Sequence, residues 1–481
     1  MSLARWCYYG LCTFMLGACH VGPNYKAPAP PVHAEEALVS RDDSLESTAD
    51  APDSWWQLYD DAGLNGLVQE ALRANQNLAA AEANFSAARA VVAAAKVGRY
   101  PSTQAVVGGI YGRDATTEEI LELGGHQPAT LWLLEDVLEV GYEVDLFGRV
   151  HRSIEAADAN AAAAAAARDA VKIVTAAETA RAYAQICALG EQLAVAHHSL
   201  EVVSHEAQIT SNRHEAGANS DFDVARAQAL VFQVRAGIAP LEGQRRAALF
   251  ELAALLGRTP SEAPQEVTSC VKTPRLSALI PVGDGARLLR RRPDVRQAER
   301  RLAAATAQIG VATADLYPSI RIGGLIGSVG SQLSDLTADR GLTWGIGPAL
   351  SWNFPNQAGP RARIRQAKAF QAAALANFDE AVLSALKETE QALTRYHSGL
   401  SSHQELLGAQ ERIHAAFGMA HNQFLAGAVS NLDLLTTEQT LVGIDAAVAT
   451  SEAGLIQDQI AVFKALGGGW QNPSAVTSSN P

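Results

Sequence analysis

The chain has 481 residues, only 6% of them aromatic, and a formal net charge of −13. This acidic balance argues against a nucleic-acid partner, because binding a phosphate backbone requires a basic surface. Alanine dominates long tracts such as 161–167. Its small side chain and high helix propensity favour long, closely packed helices over a bulky globular core.

The first residues, 1–18, are predicted to be a lipoprotein signal peptide. Arg5 precedes an apolar run from Trp6 to Leu16, and a Leu-Gly-Ala-Cys sequence ends at Cys19. A short apolar run with small residues before a cleavage point is typical of a secretory signal. The last four residues resemble the bacterial lipobox, which implies covalent lipid on the cysteine. The alternative is an ordinary signal peptide with an incidental cysteine.

Two segments flank the body of the remaining chain. Residues 19–60 are rich in Pro, Ala, Asp and Ser, and we predict that they form a lipidated N-terminal tether. The tail, 468–481, is predicted to be disordered.

Two cysteines, Cys187 and Cys270, remain after the N-terminal segment. A disulfide between them would suit an oxidising compartment. No framework pattern supports the pairing, and a buried free thiol at Cys187 is an equal alternative.

The chain contains one long unit twice. Residues 214–224 recur at 424–434, an offset of 210 residues, and both copies carry Gly-Ala-x-Ser-x-x-Asp. Solenoid and propeller repeats are shorter, about 20–50 residues. We therefore predict an internal two-fold repeat, 61–257 and 284–467, with a linker or equatorial segment at 258–283.

Each repeat is predicted to contain one β-hairpin, at 100–147 and 318–354. Apolar side chains alternate with polar or small ones over about ten residues near the end of each hairpin, which indicates a strand with one apolar face. This length is what a tilted transmembrane strand requires. The acidic residues of the first alternation are expected to line a lumen that favours cations: Glu139, Glu143 and Asp145.

After each hairpin comes a proline-free stretch, 149–214 and 361–424. About 65 helical residues would span roughly 100 Å, which suits a tube of long helical hairpins. The first tip lies near 217–223 and the second tip near 427–433. No run of 18 or more apolar residues follows the N-terminal segment, so we expect strands, not helices, to span the membrane.

Several motifs together resemble the NodT/OprM branch of the TolC-type outer membrane factors, the exit ducts of tripartite efflux pumps. The resemblance implies a mixed α/β membrane protein in which three protomers each give four strands to one 12-stranded β-barrel, continuous with a periplasmic α-helical barrel. The motifs lie at Cys19–Tyr25, Ser54–Trp56, Leu64–Leu67, Arg291–Val295, Ala314–Ser319 and Ser430–Leu435.

The resemblance also implies the partners and the location. These are a homotrimer, outer membrane lipid, a periplasmic adaptor and an inner-membrane pump of the RND type, in the bacterial outer membrane with a periplasmic extension. No enzyme activity, metal or cofactor is expected apart from lipid on Cys19.

In the resembled family the tips carry the gate. By position Leu432 would supply an apolar ring, and Asp433, Asp221 and Asp223 could form rings of three carboxylates. Thr436 and Gln439 stand where relatives often carry an acidic and a basic residue, so the resemblance does not extend to an ion-pair lock there. The alternative for Asp223 and Asp433 is helix capping.

We predict that the second tip is the tighter gate and that the first receives the adaptor. Adaptor docking is assigned to the small and polar residues of both tips: Gly217, Ala218, Ser220, Gly427, Ala428 and Ser430.

The predicted function is a passive exit duct for small molecules, drugs or other toxic organics. A type I protein-secretion duct would share the fold but is disfavoured by the lipobox and by the Arg-Arg-Pro-Asp motif at 291–294, which we interpret as a structural ion-pair site. A non-channel periplasmic stalk or adhesin would not need strand hairpins.

Overall fold

The computed structural model describes residues 20–42, 44–49, 51–112, 130–276 and 279–468. The predicted signal peptide, Cys19 and the tail from 469 onward lie outside these ranges. The elements follow one another as α1 Ala62–Ala74, α2 Gln76–Val97, β1 Ser102–Gly112, β2 Leu131–Val144, α3 Arg149–Glu215, α4 Asp221–Leu255, α5 Gly285–Arg291, α6 Pro293–Ala314, β3 Ser319–Gly330, β4 Leu342–Ser351, α7 Ala358–Leu425 and α8 Asn431–Ala465.

The chain divides into two compact units. The strand unit comprises Met1–Pro28, Phe85–Ala164 and Ala298–Phe378, and the helix unit comprises Ala29–Asn84, Ala165–Gln297 and Asp379–Pro481. Each unit takes segments from both predicted repeats.

The strand unit contains a four-stranded sheet in the order β1-β2-β3-β4. All three pairings are antiparallel, and β2 pairs with β3, which joins the hairpin of the first repeat to that of the second. The strands contain 11, 14, 12 and 10 residues, close to the length that crosses a bilayer at a tilt.

The two longest helices coincide with the two proline-free stretches. α3 has 67 residues and α7 has 68. Within the described parts of the chain, no helix combines the length and the apolar character needed to cross a membrane.

The core of the helix unit explains the Ser-Trp-Trp motif. Trp55 is fully buried and stacks on Phe463, with the ring centroids 4.9 Å apart. Trp56 and Tyr59 are buried beside it. The motif therefore fixes the segment before α1 against the end of α8.

The structure decides between the two alternatives for the cysteines. Cys187 on α3 and Cys270 in the linker form a disulfide, with their Cα atoms 4.8 Å apart. This bond ties the linker between the predicted repeats to a long helix.

The Arg-Arg-Pro-Asp motif at 291–294 has the structural role that we predicted from the sequence. Arg292 is buried, donates to the carbonyl of Ala465 at 2.9 Å and to Glu388 at 2.8 Å, and pairs with Asp294. The start of α6 is thereby linked to α7 and α8.

Candidate functional site

One face of the sheet is apolar and open. The register aligns apolar side chains across all four strands, and Trp344 and Ile346 on β4 remain 72% and 78% exposed. An exposed and largely apolar surface of this kind marks contact with a membrane or a partner, although it also carries an acidic residue, Asp136, opposite Val107 and Ser328. We call it the apolar face; it includes Val107, Tyr111, Leu138, Val140, Ile322, Ile326, Trp344, Ile346 and Leu350.

The opposite face carries most of the small and polar residues, together with apolar side chains such as Ile110 and Leu325. Because side chains alternate along a strand, Gly345, Gly347 and Ala349 of β4 lie on this face together with Glu139 and Glu143 of β2. The two faces match the alternation in the sequence, and a sheet of this pattern suits a lipid boundary on one side and a polar lumen on the other.

The acidic residues predicted for the lumen have different surroundings. Glu143 accepts a hydrogen bond from Arg149 Nε at 2.8 Å. Asp145 accepts hydrogen bonds from the backbone N–H groups of Val150 and His151, so it caps the start of α3. Glu139 lies between Gln104 and Leu325 in the register. The cation-selective lumen stays a prediction.

Aromatic pairs mark the two ends of the strands. Tyr111 and Trp132 lie 5.3 Å apart at one end. At the other end, Phe147 stacks on Tyr317 at 4.5 Å and Trp352 stacks on Phe354 at 4.7 Å. Aromatic side chains concentrate at both membrane–water interfaces in transmembrane barrels.

The outer edges of the sheet are open. Across the described residues, β1 and β4 each have a strand partner on one side only. In a bilayer an unpaired edge leaves backbone N–H and C=O groups without partners, which is strongly unfavourable.

Both tips end their first helix in the same way. Gly217 and Gly427 have φ of 77° and 74°, which glycine adopts without strain. The N–H of Ala218 donates to the carbonyl of Arg213, and that of Ala428 to the carbonyl of Gln423, both at 2.8 Å. This is the Schellman motif that closes a helix C-terminus.

Both tips also begin their second helix in the same way. Ser220 with Asp223, and Ser430 with Asp433, form reciprocal capping boxes. The backbone N–H of Ser220 holds the pKa of Asp223 below its usual range. The shared Gly-Ala-x-Ser-x-x-Asp pattern is therefore explained by helix termination and capping.

The tips differ in what they expose. Leu432 is half-exposed, and Phe222, which occupies the equivalent position of the first tip, is more exposed still. The hydroxyl of Thr436 donates within its own helix, to the carbonyls of Leu432 and Asp433. Phe222 is not among the tip residues predicted from the sequence, although the repeat offset of 210 residues aligns it with Leu432.

Contacts between the helix ends join the two tips within the helix unit. Arg213 donates to the carbonyl of Phe424 at 3.1 Å, and its guanidinium lies 4.4 Å from the ring of the same residue. Thr210 donates to the side chain of Asn431 at 3.3 Å. These contacts connect the helix ends of the two tips.

The segment that follows Cys19 is fixed in the strand unit. Arg152 donates to the carbonyl of Val21 and, at 2.6 Å, to the side chain of Asn24. Gly22 lies very close to Gly310, because a Cβ added to Gly22 would be 2.6 Å from the Cα atom of Gly310. The N–H of Val21 donates to the carbonyl of Phe147, beside the end of β2.

No group of three or more metal-ligating side chains occurs in the ranges that the structure describes. The arrangement consists of an open sheet with one apolar face and a pair of capped helical tips.

Comparison with known proteins agrees with this arrangement. The model of the family described as outer membrane efflux protein matches residues 67–258 and 286–468. Nodulation protein T of Rhizobium leguminosarum bv. viciae is 30% identical over 96% of this chain and 93% of its own length. The pyoverdine export outer membrane protein OpmQ of Pseudomonas aeruginosa is 30% identical, over 88% of this chain and 89% of its own.

A solved structure of the outer-membrane channel OprN is similar over 94% of this chain and 100% of its own, with a TM-score of 0.88 and 32% identity. These comparisons confirm the family that the motifs indicated, the function in efflux and the location in the outer membrane. The chain belongs to the outer membrane efflux protein family and is a NodT-like efflux duct of the outer membrane.

Proposed function

We propose that three copies of this chain close a 12-stranded β-barrel whose lumen continues into a periplasmic α-helical barrel. The observation that carries this proposal is the four-stranded sheet, whose two outer edges are open among the described residues. Its apolar face requires lipid, and its edges require partners. Pairing β1 of one protomer with β4 of the next satisfies both edges and gives an even number of strands.

In this proposal the duct is passive. Small molecules, such as drugs or other toxic organics, reach it from an inner-membrane pump of the RND type through a periplasmic adaptor that docks at the tips. The shared capping geometry of the two tips supports an internal two-fold repeat, so a trimer would present six similar helical ends. The exposed Phe222 offers an apolar contact at the first tip.

Cys19 is proposed to carry the lipid anchor. Because residues 20–25 are fixed beside the end of β2 by Arg152 and Phe147, the anchor would start close to an aromatic end of the strands. Mass spectrometry of the mature N-terminus tests this: acyl mass on Cys19 is expected, and an unmodified N-terminus would contradict it.

The second tip is proposed to form the tighter gate, and Leu432→Ala should raise the resting conductance of the assembled protein in planar bilayers. Three leucines meeting near the axis exclude water, and shortening them removes apolar contact from the closed state. A loss of about 1.4 kcal/mol corresponds to an increase on the order of tenfold in the open population.

The matched control is Phe222→Ala, at the equivalent position of the first tip. It removes an exposed apolar side chain from a helix with the same capping box, and we expect it to leave the resting conductance unchanged. Equal increases for both variants, or no increase for Leu432→Ala, would place the constriction elsewhere.

A further inference from the structure

A buried carboxyl group lies on the helix that follows the second tip. Glu438 is 1% exposed and occupies the same face of α8 as the buried Leu434, Leu435 and Leu441. A glutamate at an apolar position of a helix is unfavourable unless it is paired or protonated. The equivalent position of the first repeat holds Gln228, which is exposed.

A second carboxyl group on another helix is buried near it. Glu206 on α3 is 6% exposed, and its negative charge acts on Glu438. Oε1 of Glu438 and Oε2 of Glu206 have no hydrogen-bond partner among the described residues. Burial, and then the charge of Glu206, raise the pKa of Glu438 to about 8.

In the described part of the chain, two histidines lie beside Glu206. On α7, Nδ1 of His421 lies 2.9 Å from Oε1 of Glu206, and on α3, Nδ1 of His205 lies 3.8 Å from the same atom. Both histidines therefore lie beside Glu206. Glu206 is in turn the charged group that raises the pKa of Glu438.

The fourth helix packed here, α4, contributes apolar side chains. Leu230, Val231 and Val234 pack in one cluster with Val203 and Leu435. The nearest arginines of α4 along the sequence are engaged elsewhere: the guanidinium of Arg226 lies over Phe222, and that of Arg235 over Phe232. On α8 itself, Asp433 belongs to the capping box and Asp445 contacts Gln410 and His414.

We propose that Glu206 and Glu438 form a proton-dependent latch between α3 and α8. With one proton on the pair the two helices stay packed beside the second tip, and loss of that proton separates them. Glu438 lies five residues after Asp433, so the latch controls the start of the helix that carries Leu432. Its effect on conductance rests on the proposed gate.

The direction of the pH effect follows from proton linkage. The packed state binds the proton with a pKa of about 8, whereas an exposed glutamate has a pKa of about 4.3. Between these values the packed state holds more protons, so raising the pH favours separation, by at most about tenfold per pH unit. Above about pH 8 the carboxyl is ionised in both states, and a further rise has no added effect.

The test uses the full-length assembled protein in planar bilayers, with symmetric solutions between about pH 5.5 and 8.5. The resting conductance of the wild type should rise with pH by up to about tenfold per unit. Glu438→Gln introduces the residue that the first repeat has at the equivalent position. Glutamine has the shape of glutamate but no charge, so this variant should lose the rise of conductance with pH. Glu206→Gln should move the transition to lower pH.

Two further variants separate the latch from other titrating groups. Glu411→Gln removes an exposed carboxylate from α7 and should behave like the wild type. His421→Gln removes the histidine that contacts Glu206 and should keep the rise. The proposal would be overturned if the pH response were lost in His421→Gln and kept in Glu438→Gln.

Infrared spectroscopy gives a readout independent of the gate. The wild type should show the carbonyl band of a buried protonated carboxyl near neutral pH, and Glu438→Gln should lack it. Absence of the band in the wild type, or a band with pH-independent conductance, overturns the latch. A pH response that Glu438→Gln removes, with no effect of Leu432→Ala at constant pH, supports the latch and rejects Leu432 as the gate.

Discussion

Replacing Ile346 by arginine is expected to prevent the protein from inserting into the outer membrane. Ile346 lies near the middle of β4 on the apolar face and is 78% exposed in one protomer. An arginine on the lipid face near the bilayer midplane costs about 2–4 kcal/mol. The cost arises in every chain of the assembly, so the three copies of the proposed trimer lose on the order of 6–12 kcal/mol. The measurement is the amount of heat-resistant oligomer in isolated outer membranes.

The neighbouring residue provides a matched control. Gly345 lies on the opposite face, and a Cβ added there meets no atom within 4 Å. Gly345→Arg introduces the same charge one residue away on the face proposed to line the lumen, and should insert in normal amounts. If Gly345→Arg were lost from the membrane and Ile346→Arg retained, the assignment of the two faces would be inverted.

Removing the disulfide is expected to lower the stability of the helix unit strongly. The bond between Cys187 and Cys270 spans 83 residues, and a loop of that length restricts the unfolded chain by about 4–5 kcal/mol in the chain-entropy description. Cys270→Ser removes the bond and keeps the buried Cys187 in place. The midpoint of denaturant unfolding should fall relative to the oxidised wild type.

Reductant provides the control for this substitution. Added reductant should destabilise the wild type to about the level of Cys270→Ser and should have no further effect on the variant. Before reduction, the unfolded wild type should show no free thiol at Cys187 or Cys270. Two reactive thiols in the unreduced wild type would show that the bond does not form.

The long elements could be predicted from local patterns. Proline-free, alanine-rich stretches correspond to α3 and α7, and alternation with period two corresponds to β2 and β4, because each pattern depends on neighbouring residues alone. The tip motif encodes its own geometry, with glycine ending one helix and Ser-x-x-Asp starting the next.

Other features depend on contacts between distant segments. The pairing of β2 with β3 joins strands from different repeats, and the disulfide depends on the path of the linker; no local pattern encodes either. Glu438 could have been found, because it interrupts the apolar spacing of Leu434, Leu435 and Leu441. The proximity of Glu438 to Glu206 could not have been predicted, since the two residues lie in different repeats.

Native mass spectrometry of the purified, detergent-solubilised protein counts the copies in the assembly, because the open edges of the described sheet must be closed by further copies in a membrane. We expect one dominant species with the mass of three processed chains, each carrying acyl groups at Cys19. A dominant monomer, or any oligomer other than a trimer, would contradict the proposed trimer.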